Sequence, residues 1–342
     1  MRTRMRARWS VALALSAALT ATLVLANTGP ATAVEGGPGV VIHLGDSFAS
    51  GEGGGWKGNS LTRYGDRSGT DMAAVRRPDG SWEYHPEWWV YTEESWNNGC
   101  HVAKDAPITY VGSALSGVQK VINLACSGAK SKNIWPVANG GEAYKGLPPQ
   151  LTRLSGLISP SDDVKLVVIG VGGNDAGFGQ VIGHCVAAWA FTHWGDGVFD
   201  DRYCQETLRD GPHGDVLDVY YNHRKTIQLV RETLAAKGQP PGSYRIVLTG
   251  YPSILPTDTT GWRANEGSGF FDERCPIRKS DSRWINLNYV TRLNNVIRAA
   301  AEDEGVGFID LSDAFAGHRL CEAGTVRGSA AASSSANAEW GR

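Results

Sequence analysis

Five short apolar runs, rich in valine and isoleucine, constrain the fold more than any other feature of this sequence. They are "VVIHL" (Val40–Leu44), "VINLAC" (Val121–Cys126), "KLVVIGV" (Lys165–Val171), "YRIVLTG" (Tyr244–Gly250) and "VGFIDL" (Val306–Leu311). Most of them do not alternate with polar residues, which is typical of strands covered on both faces. Helical patterns lie between the runs, over Asp215–Lys237 and Trp284–Glu304, and each is followed by a glycine. Strands that alternate with helices predict an α/β fold with a central parallel sheet.

The N-terminal residues 1–33 are expected to be a secretory signal peptide. Four arginines precede an apolar stretch over Val11–Ala26, and the small-residue sequence Ala31-Thr32-Ala33 follows. The apolar stretch is short for a membrane anchor, and no later run is long enough to cross a bilayer. We therefore expect a secreted protein without a transmembrane segment.

The rest of the chain is interpreted as one large domain over residues 34–326 and a low-complexity tail over 327–342. Within the domain, residues 54–99 follow neither structural period and are rich in Gly, Trp and Tyr. This aromatic excursion is interpreted either as a functional loop region or as a segment with a small core of its own. The formal net charge of −2 falls to −6 without the four leader arginines. Such a chain lacks the basic surface of a nucleic-acid-binding protein.

The sequence has six cysteines, all of them after the predicted signal peptide. An even number of cysteines in an exported chain favours disulfides, although six cysteines allow fifteen connectivities. The simplest hypothesis pairs sequence neighbours, as Cys100–Cys126, Cys185–Cys204 and Cys275–Cys321. No cysteine or histidine spacing of a metal site is present, so we expect no metal.

The stretch "VIHLGDSFASGEGGG" (Val41–Gly55) places Ser47 just after the first predicted strand. Ligands bind at this edge of open α/β sheets, and glycine-rich turns there can cradle phosphates. A phosphate loop would carry a lysine, whereas this turn has Asp46 and Glu52, which would repel phosphate. Two interpretations remain, in which Ser47 is either a nucleophile or a helix N-cap.

A serine nucleophile requires a base, and His318 is the histidine placed best for that role. It follows the last predicted strand, and the C-terminal ends of parallel strands come together, so we expect it to reach Ser47. Two other strand ends offer donors for an oxyanion: Gly128 through its backbone N–H, and Asn174 through its side-chain amide. Taken singly, Gly128 could be only a turn glycine and Asn174 only a helix N-cap.

Taken together, Gly45-Asp46-Ser47, Gly128, Gly172-Gly173-Asn174-Asp175 and His318 resemble the SGNH (GDSL-type) hydrolase family. The resemblance extends from about Val40 to Cys321 and is strongest to the secreted actinobacterial esterase and lipase branch. It implies a flavodoxin-like three-layer α/β/α sandwich and three disulfides between sequence neighbours. It also implies that Ser47 is the nucleophile and His318 the general base. The oxyanion hole would comprise the N–H of Ser47, the N–H of Gly128 and the Asn174 amide.

One position departs from the family pattern, in which an aspartate lies three residues before the histidine. Phe315 occupies that position here, and Asp313 lies five residues before His318. We therefore expect a main-chain carbonyl near Phe315 to orient His318, with Asp313 as the weaker alternative.

The expected function is hydrolysis of a carboxylic ester by a monomeric enzyme without a cofactor. The substrate could be a small-molecule, lipid or polysaccharide ester, and a carbohydrate acetylesterase is the alternative enzyme. A non-catalytic binding protein on the same scaffold is a further alternative.

Overall fold

The structure is a computed structural model that describes residues 37–53, 73–76, 78–79, 82–85, 90–194, 203–208, 216–258, 261–262, 275 and 277–325. For 73–76, 82–85 and 189–194 only the backbone is described. The predicted signal peptide and the predicted tail over 327–342 lie outside the described residues.

The central element is a parallel sheet. The strands are β1 (Gly39–Gly45), β2 (Ala73–Arg76), β3 (Trp82–His85), β4 (Val118–Asn123), β5 (Asp163–Gly170), β6 (Arg245–Thr249) and β7 (Gly307–Ile309). Five of these form one sheet in the order β4-β1-β5-β6-β7, and all their pairings are parallel. The other two, β2 and β3, pair as an antiparallel hairpin. The predicted parallel sheet is therefore confirmed.

Helices lie between the strands. They are α1 (Ser47–Ser50), α2 (Glu93–Asn98), α3 (Pro107–Ala114), α4 (Gln150–Leu157), α5 (Phe178–Trp194), α6 (Cys204–Leu208), α7 (Val216–Ala235), α8 (Lys279–Trp284) and α9 (Thr291–Asp303). A π-helical segment, Ile285–Val290, connects α8 directly to α9. The predicted helix over 215–237 therefore corresponds to α7, and the one over 284–304 to the π-helical segment and α9.

Each face of the sheet has its own apolar core. Val40, Ile42 and Leu44 of β1 pack with α4, α7 and α9 in the larger core. Val41 packs on the opposite face, in a second cluster that includes Ile108 of α3. Successive strand residues point to opposite faces, so β1 contributes to both cores. The result is the three-layer α/β/α arrangement that the sequence predicts.

The two edge strands differ from their predicted bounds. β4 ends at Asn123, although the predicted run continues to Cys126. The chain still follows β1 beyond that point, since Cys126 N donates to Gly45 O at 3.0 Å. β7 has three residues and is largely exposed, because an edge strand has a neighbour on one side only. A run of apolar residues therefore overstates the regular part of an edge strand.

The aromatic excursion over 54–99 contains the β2–β3 hairpin and α2, and much of the rest of it lies outside the described residues. Tyr91 at its end is fully buried in the second core, beside Ile108. Of the helices that the structure describes, none combines the length and the apolar character needed to cross a membrane.

Candidate active site

The Ser47 turn, Gly45–Ser47, leaves the C-terminal end of β1. Asp46 is the N-cap of α1, and its Oδ1 accepts a hydrogen bond from Phe48 N at 3.1 Å. Asp46 and Ser50 are buried, whereas Ser47 between them is partly exposed. Ser47 is thus the partly exposed residue of a turn whose other two residues are buried.

Gln150 holds the first residue of this turn. Its Oε1 accepts from Gly45 N at 2.9 Å, and its Nε2 donates to Gly45 O at 2.8 Å. A Cβ on Gly45 would lie 2.0 Å from the carbonyl oxygen of Gly170, and the φ of +151° is one that other residues rarely adopt. Only glycine fits here, and the buried amide of Gln150 takes the place of a neighbouring strand.

Two further turns come together beside it: the Gly128 turn (Cys126–Ala129) and the Asn174 turn (Gly172–Asp175). The Asn174 amide donates from Nδ2 to Ala129 O at 3.0 Å. A primary amide has two N–H groups, so this bond engages one of them and orients the other. The structure therefore brings Gly128 and Asn174 to the same place, as the sequence predicts.

Asp175, the last residue of the Asn174 turn, bonds to the segment that follows the Gly128 turn. Both of its carboxylate oxygens accept from Ser131 N, at 3.2 and 3.0 Å, and Asn222 Nδ2 donates to its Oδ1 at 3.3 Å. The carboxylate thus connects the segment after Gly128 with the segment after β5 and with α7.

Gly128 has a left-handed backbone, with φ at +80°. A Cβ there would lie 2.5 Å from the hydroxyl oxygen of Tyr144. The left-handed backbone favours glycine, and a side chain here would also have to displace the Tyr144 hydroxyl.

Glu52 connects the Gly128 turn with the segment after Ser47. Its Oε2 accepts from Ser127 Oγ at 2.6 Å, and its backbone N donates to Ser47 O at 3.1 Å. Its Oε1 lies 2.6 Å from Nδ1 of His101. Glu52 therefore links Ser47 with the Gly128 turn. The sequence analysis used this residue only to exclude a phosphate loop.

Tyr251 connects the Ser47 turn with the Asn174 turn. Its hydroxyl donates to Asp46 Oδ2 at 2.5 Å and accepts from Gly173 N at 2.8 Å. Burial raises the pKa of Asp46 to about 7, and the hydrogen bonds from Tyr251 and Phe48 act in the opposite direction. Burial, together with the neighbouring carboxyl of Asp46, also raises the pKa of Tyr251 well above its usual value.

His318 lies in the loop that follows β7, which we call the His318 loop (Asp310–Leu320). β7 is not next to β1, because β5 and β6 separate them. The loop instead returns across the end of β6, where Ser253 N donates to Ser312 O at 3.0 Å and Leu320 N donates to Ile254 O at 2.9 Å. The His318 loop therefore lies against the end of β6, and the adjacent strands that the sequence analysis assumed do not bring His318 to Ser47.

Arg319 fixes the end of the His318 loop. This buried guanidinium donates to Ser253 O at 3.2 Å, to Glu322 Oε1 at 2.9 Å and to Asp313 Oδ1 at 2.8 Å. Asp313 is otherwise largely exposed. The N–H of His318 donates to the carbonyl oxygen of Phe315 at 2.8 Å, which closes a tight turn around the histidine.

Two other histidines close to these turns are enclosed. His43 in β1 and His223 in α7 are buried, and burial lowers the pKa of both, that of His43 to about 4. The Nδ1 atom of His223 lies 2.8 Å from the carbonyl oxygen of Val219. Both side chains are enclosed in the interior.

Three disulfides join Cys100 to Cys126, Cys185 to Cys204 and Cys275 to Cys321. These are the pairs of the simplest sequence hypothesis. The first holds the His101 segment against the Gly128 turn, and the third lies three residues after His318. Two of the three thus flank turns of the candidate site.

Sequence reasoning did not select three residues that position these turns: Gln150, Tyr251 and Glu52. Tyr251 follows the β6 run directly, so the strand-end criterion that selected Gly128 and Asn174 could also have found it. Gln150 has no such signal, because its partner is distant in sequence and is a backbone group. Among the described residues, no cluster of three or more His, Cys, Asp or Glu side chains could hold a metal ion.

A comparison with known protein families gives a match over most of the chain. The model of the GDSL-like Lipase/Acylhydrolase family matches residues 91–327, a range that includes the Gly128 turn, the Asn174 turn and His318. Ser47 lies before the matched range. The chain belongs to this family.

Two named relatives come from Streptomyces. Lipase 2 of Streptomyces coelicolor is 26% identical over 185 residues, which are 54% of this chain and 54% of the relative. An esterase of Streptomyces scabiei is 27% identical over 211 residues, 60% of this chain and 58% of the relative. The chain thus spans somewhat more than half the length of each.

Two solved structures are similar at lower identity. The extracellular lipase from Streptomyces rimosus is 20% identical, with a TM-score of 0.44 over 83% of this chain and 84% of that one. Phospholipase A1 from Streptomyces albidoflavus is 18% identical, with a TM-score of 0.42 over 88% of this chain and 96% of that one.

Proposed function

We propose that this protein is a secreted serine hydrolase that cleaves carboxylic esters through an acyl-enzyme on Ser47. The observation that carries the proposal is that a partly exposed serine, a left-handed glycine and an oriented amide come together at one edge of the sheet. They do so in a chain that belongs to the GDSL-like Lipase/Acylhydrolase family. The three disulfides support an extracellular location.

The oxyanion hole consists of the N–H of Ser47, the N–H of Gly128 and one N–H of the Asn174 amide. Asn174 supports this role because its other N–H is engaged by Ala129 O at 3.0 Å, which fixes the plane of the amide. Donors that are oriented before the reaction stabilise developing charge without reorganising.

His318 is the general base. The carbonyl oxygen of Phe315 has two lone pairs, so it can accept the Nδ1–H of His318 besides the backbone N–H that it already accepts. Asp313 is the weaker candidate for this orienting role, because its carboxylate pairs with Arg319.

In the first half of the reaction, His318 takes the Ser47 proton while Ser47 Oγ bonds to the ester carbonyl carbon. The tetrahedral oxyanion collapses, the bond to the alcohol oxygen breaks, and His318 gives its proton to the leaving alcohol. In the second half, water loses a proton to His318 and attacks the acyl carbon, and the acid leaves as Ser47 regains its proton. No cofactor takes part in the proposed steps.

A fluorophosphonate probe tests the nucleophile, because it phosphonylates activated serines. Ser127 is the matched control, since it is also partly exposed at this edge and its hydroxyl bonds to Glu52. We expect Ser47→Ala to abolish labelling, and Ser127→Ala to retain it. Labelling that survives in Ser47→Ala and is lost in Ser127→Ala would overturn the assignment.

A series of p-nitrophenyl esters from acetate to palmitate tests the substrate class. An optimum at long acyl chains indicates a lipase. An optimum at acetate favours the alternative, a carbohydrate acetylesterase, for which the aromatic residues of segment 54–99 would suit sugar rings. If the wild type neither hydrolyses these esters nor takes up the fluorophosphonate, a binding protein replaces the enzyme as the better conclusion.

A further inference from the structure

The Tyr251 hydroxyl is bonded to the residue before the proposed nucleophile and to the residue before the proposed amide donor. The Tyr251 hydroxyl donates to Asp46, which precedes Ser47, at 2.5 Å. The same hydroxyl accepts from the N–H of Gly173, which precedes Asn174, at 2.8 Å. One oxygen atom thus bridges two turns that belong to different strands.

The ring that carries this hydroxyl is held on several sides. Asn294 of α9 bonds to both backbone groups of Tyr251, accepting from its N at 2.8 Å and donating to its O at 2.8 Å. The ring meets Phe48 edge-on, with centroids 5.3 Å apart at 89°. A Cβ on Gly173 would lie 3.1 Å from the ring, so the Asn174 turn rests directly against it. These contacts therefore fix the position of the Tyr251 hydroxyl.

Water cannot take over these bonds, because Tyr251 and Asp46 are 6% and 1% exposed. Without the hydroxyl, Asp46 Oδ2 and Gly173 N would both lose their partner in an enclosed space. The charged groups that face Asp46 are the carboxylates of Asp175 and Glu52, and both disfavour its ionised form. The Tyr251 hydroxyl offsets this repulsion by donating to the carboxylate.

We propose that Tyr251 is a positioning residue that holds the Ser47 turn and the Asn174 turn at the separation needed for ester hydrolysis. The inference rests on the proposed function of Ser47. Tyr251 itself touches no reacting atom and acts through Asp46 and Gly173.

The test is Tyr251→Phe, which keeps the ring and removes the hydroxyl. Tyr244→Phe is the matched control, since Tyr244 precedes β6 while Tyr251 follows it. Tyr244 is also buried, and its hydroxyl has no hydrogen-bond partner within the described part of the chain. Active sites are counted by fluorophosphonate titration, and kcat and KM are then measured on a p-nitrophenyl ester.

For Tyr251→Phe we expect kcat per titrated site to fall about 10- to 100-fold with KM within about twofold, because a displaced donor mainly weakens transition-state binding. Tyr244→Phe should match the wild type. A Tyr251→Phe enzyme with wild-type kcat per titrated site would overturn the inference and reduce Tyr251 to a core residue.

Asp46→Asn provides a second variant should Tyr251→Phe fold poorly. Phe48 N and the Tyr251 hydroxyl bond to different oxygens of Asp46, and an asparagine has only one oxygen, so one of the two bonds is lost and the same loss of kcat at constant KM is expected. If both residues act through one bond, the double variant should be no slower than the slower single variant. Losses that multiply would refute this common route. A wild type that neither hydrolyses esters nor takes up the probe would overturn the proposed function itself, and the inference about Tyr251 with it.

Discussion

Replacing Gln150 by leucine tests how the Ser47 turn is held. Leucine occupies nearly the same space but cannot bond to Gly45, whose N–H and carbonyl lie 2.9 and 2.8 Å from the Gln150 amide. The carbonyl keeps a second donor, Cys126 N at 3.0 Å, whereas the N–H loses its partner. Gln150 is 3% exposed, so water does not replace it.

The expected loss is the cost of one enclosed, unpaired N–H, about 1–3 kcal/mol of the free energy of unfolding. Urea unfolding with the disulfides intact measures it, followed by circular dichroism. At a slope of about 3 kcal/mol per molar, the midpoint should fall by roughly 0.3–1 M with the slope unchanged.

Gln119→Leu is the matched control at the other end of β1. Its Oε1 accepts from Gly39 N at 2.5 Å, but Gln119 is exposed and water can take over the bond. The loss there should stay within about 0.5 kcal/mol. Equal losses for Gln119→Leu and Gln150→Leu, or none for Gln150→Leu, would refute the reasoning.

Three further substitutions have defined outcomes. Gly128→Ala should lower kcat/KM at least about tenfold, because the left-handed backbone and the Tyr144 hydroxyl both oppose a side chain; ester kinetics measure it. Burial raises the folded pKa of Asp46 to about 7, above its ordinary 3.8, so the folded protein binds the extra proton and stability should fall as pH rises from about 4 to about 7. Unfolding across that range should show a shallower fall in Asp46→Asn, and an identical slope would contradict the assignment. Arg319→Ala should cost about 1.5–3 kcal/mol by denaturant unfolding, since it removes donors from the enclosed Ser253 carbonyl and from the little-exposed Glu322 carboxylate, whereas Arg298→Ala, in an exposed pair, should cost less than about 1 kcal/mol.

The sheet could be predicted from the sequence because its central strands, most clearly β1, are buried on both faces and therefore read as unbroken apolar runs. The prediction was least accurate at β4 and β7, whose edge positions depend on which strands become neighbours. The same information was missing for His318. The separation of β7 from β1 follows from the strand order, and the path of the His318 loop follows from its bonds to the end of β6.

The residues nominated for chemistry could be recognised because each lies at a strand end and carries a side chain, or lacks one, for a chemical reason. Of the residues that hold them, Tyr251 shares only the strand-end position, and Gln150 carries no such mark. Gln150 bonds to a backbone group 105 residues away, and Tyr251 to a carboxylate 205 residues away. Contacts of that kind depend on the finished packing, and no local pattern encodes them.

The position of Ser47 therefore depends on contacts from several elements at this edge of the sheet. The four-residue helix that it begins is too short to be stable alone, since a helix of this length does not repay its nucleation. Gln150 fixes Gly45, the first residue of the turn, and Tyr251 fixes Asp46. The backbone N–H of Glu52 donates to the Ser47 carbonyl. Each contact ends on a different structural element, so a shift of any one element displaces Ser47 relative to Asn174. For this reason substitutions of Gln150 and Tyr251 should reduce the rate of ester hydrolysis before they prevent folding.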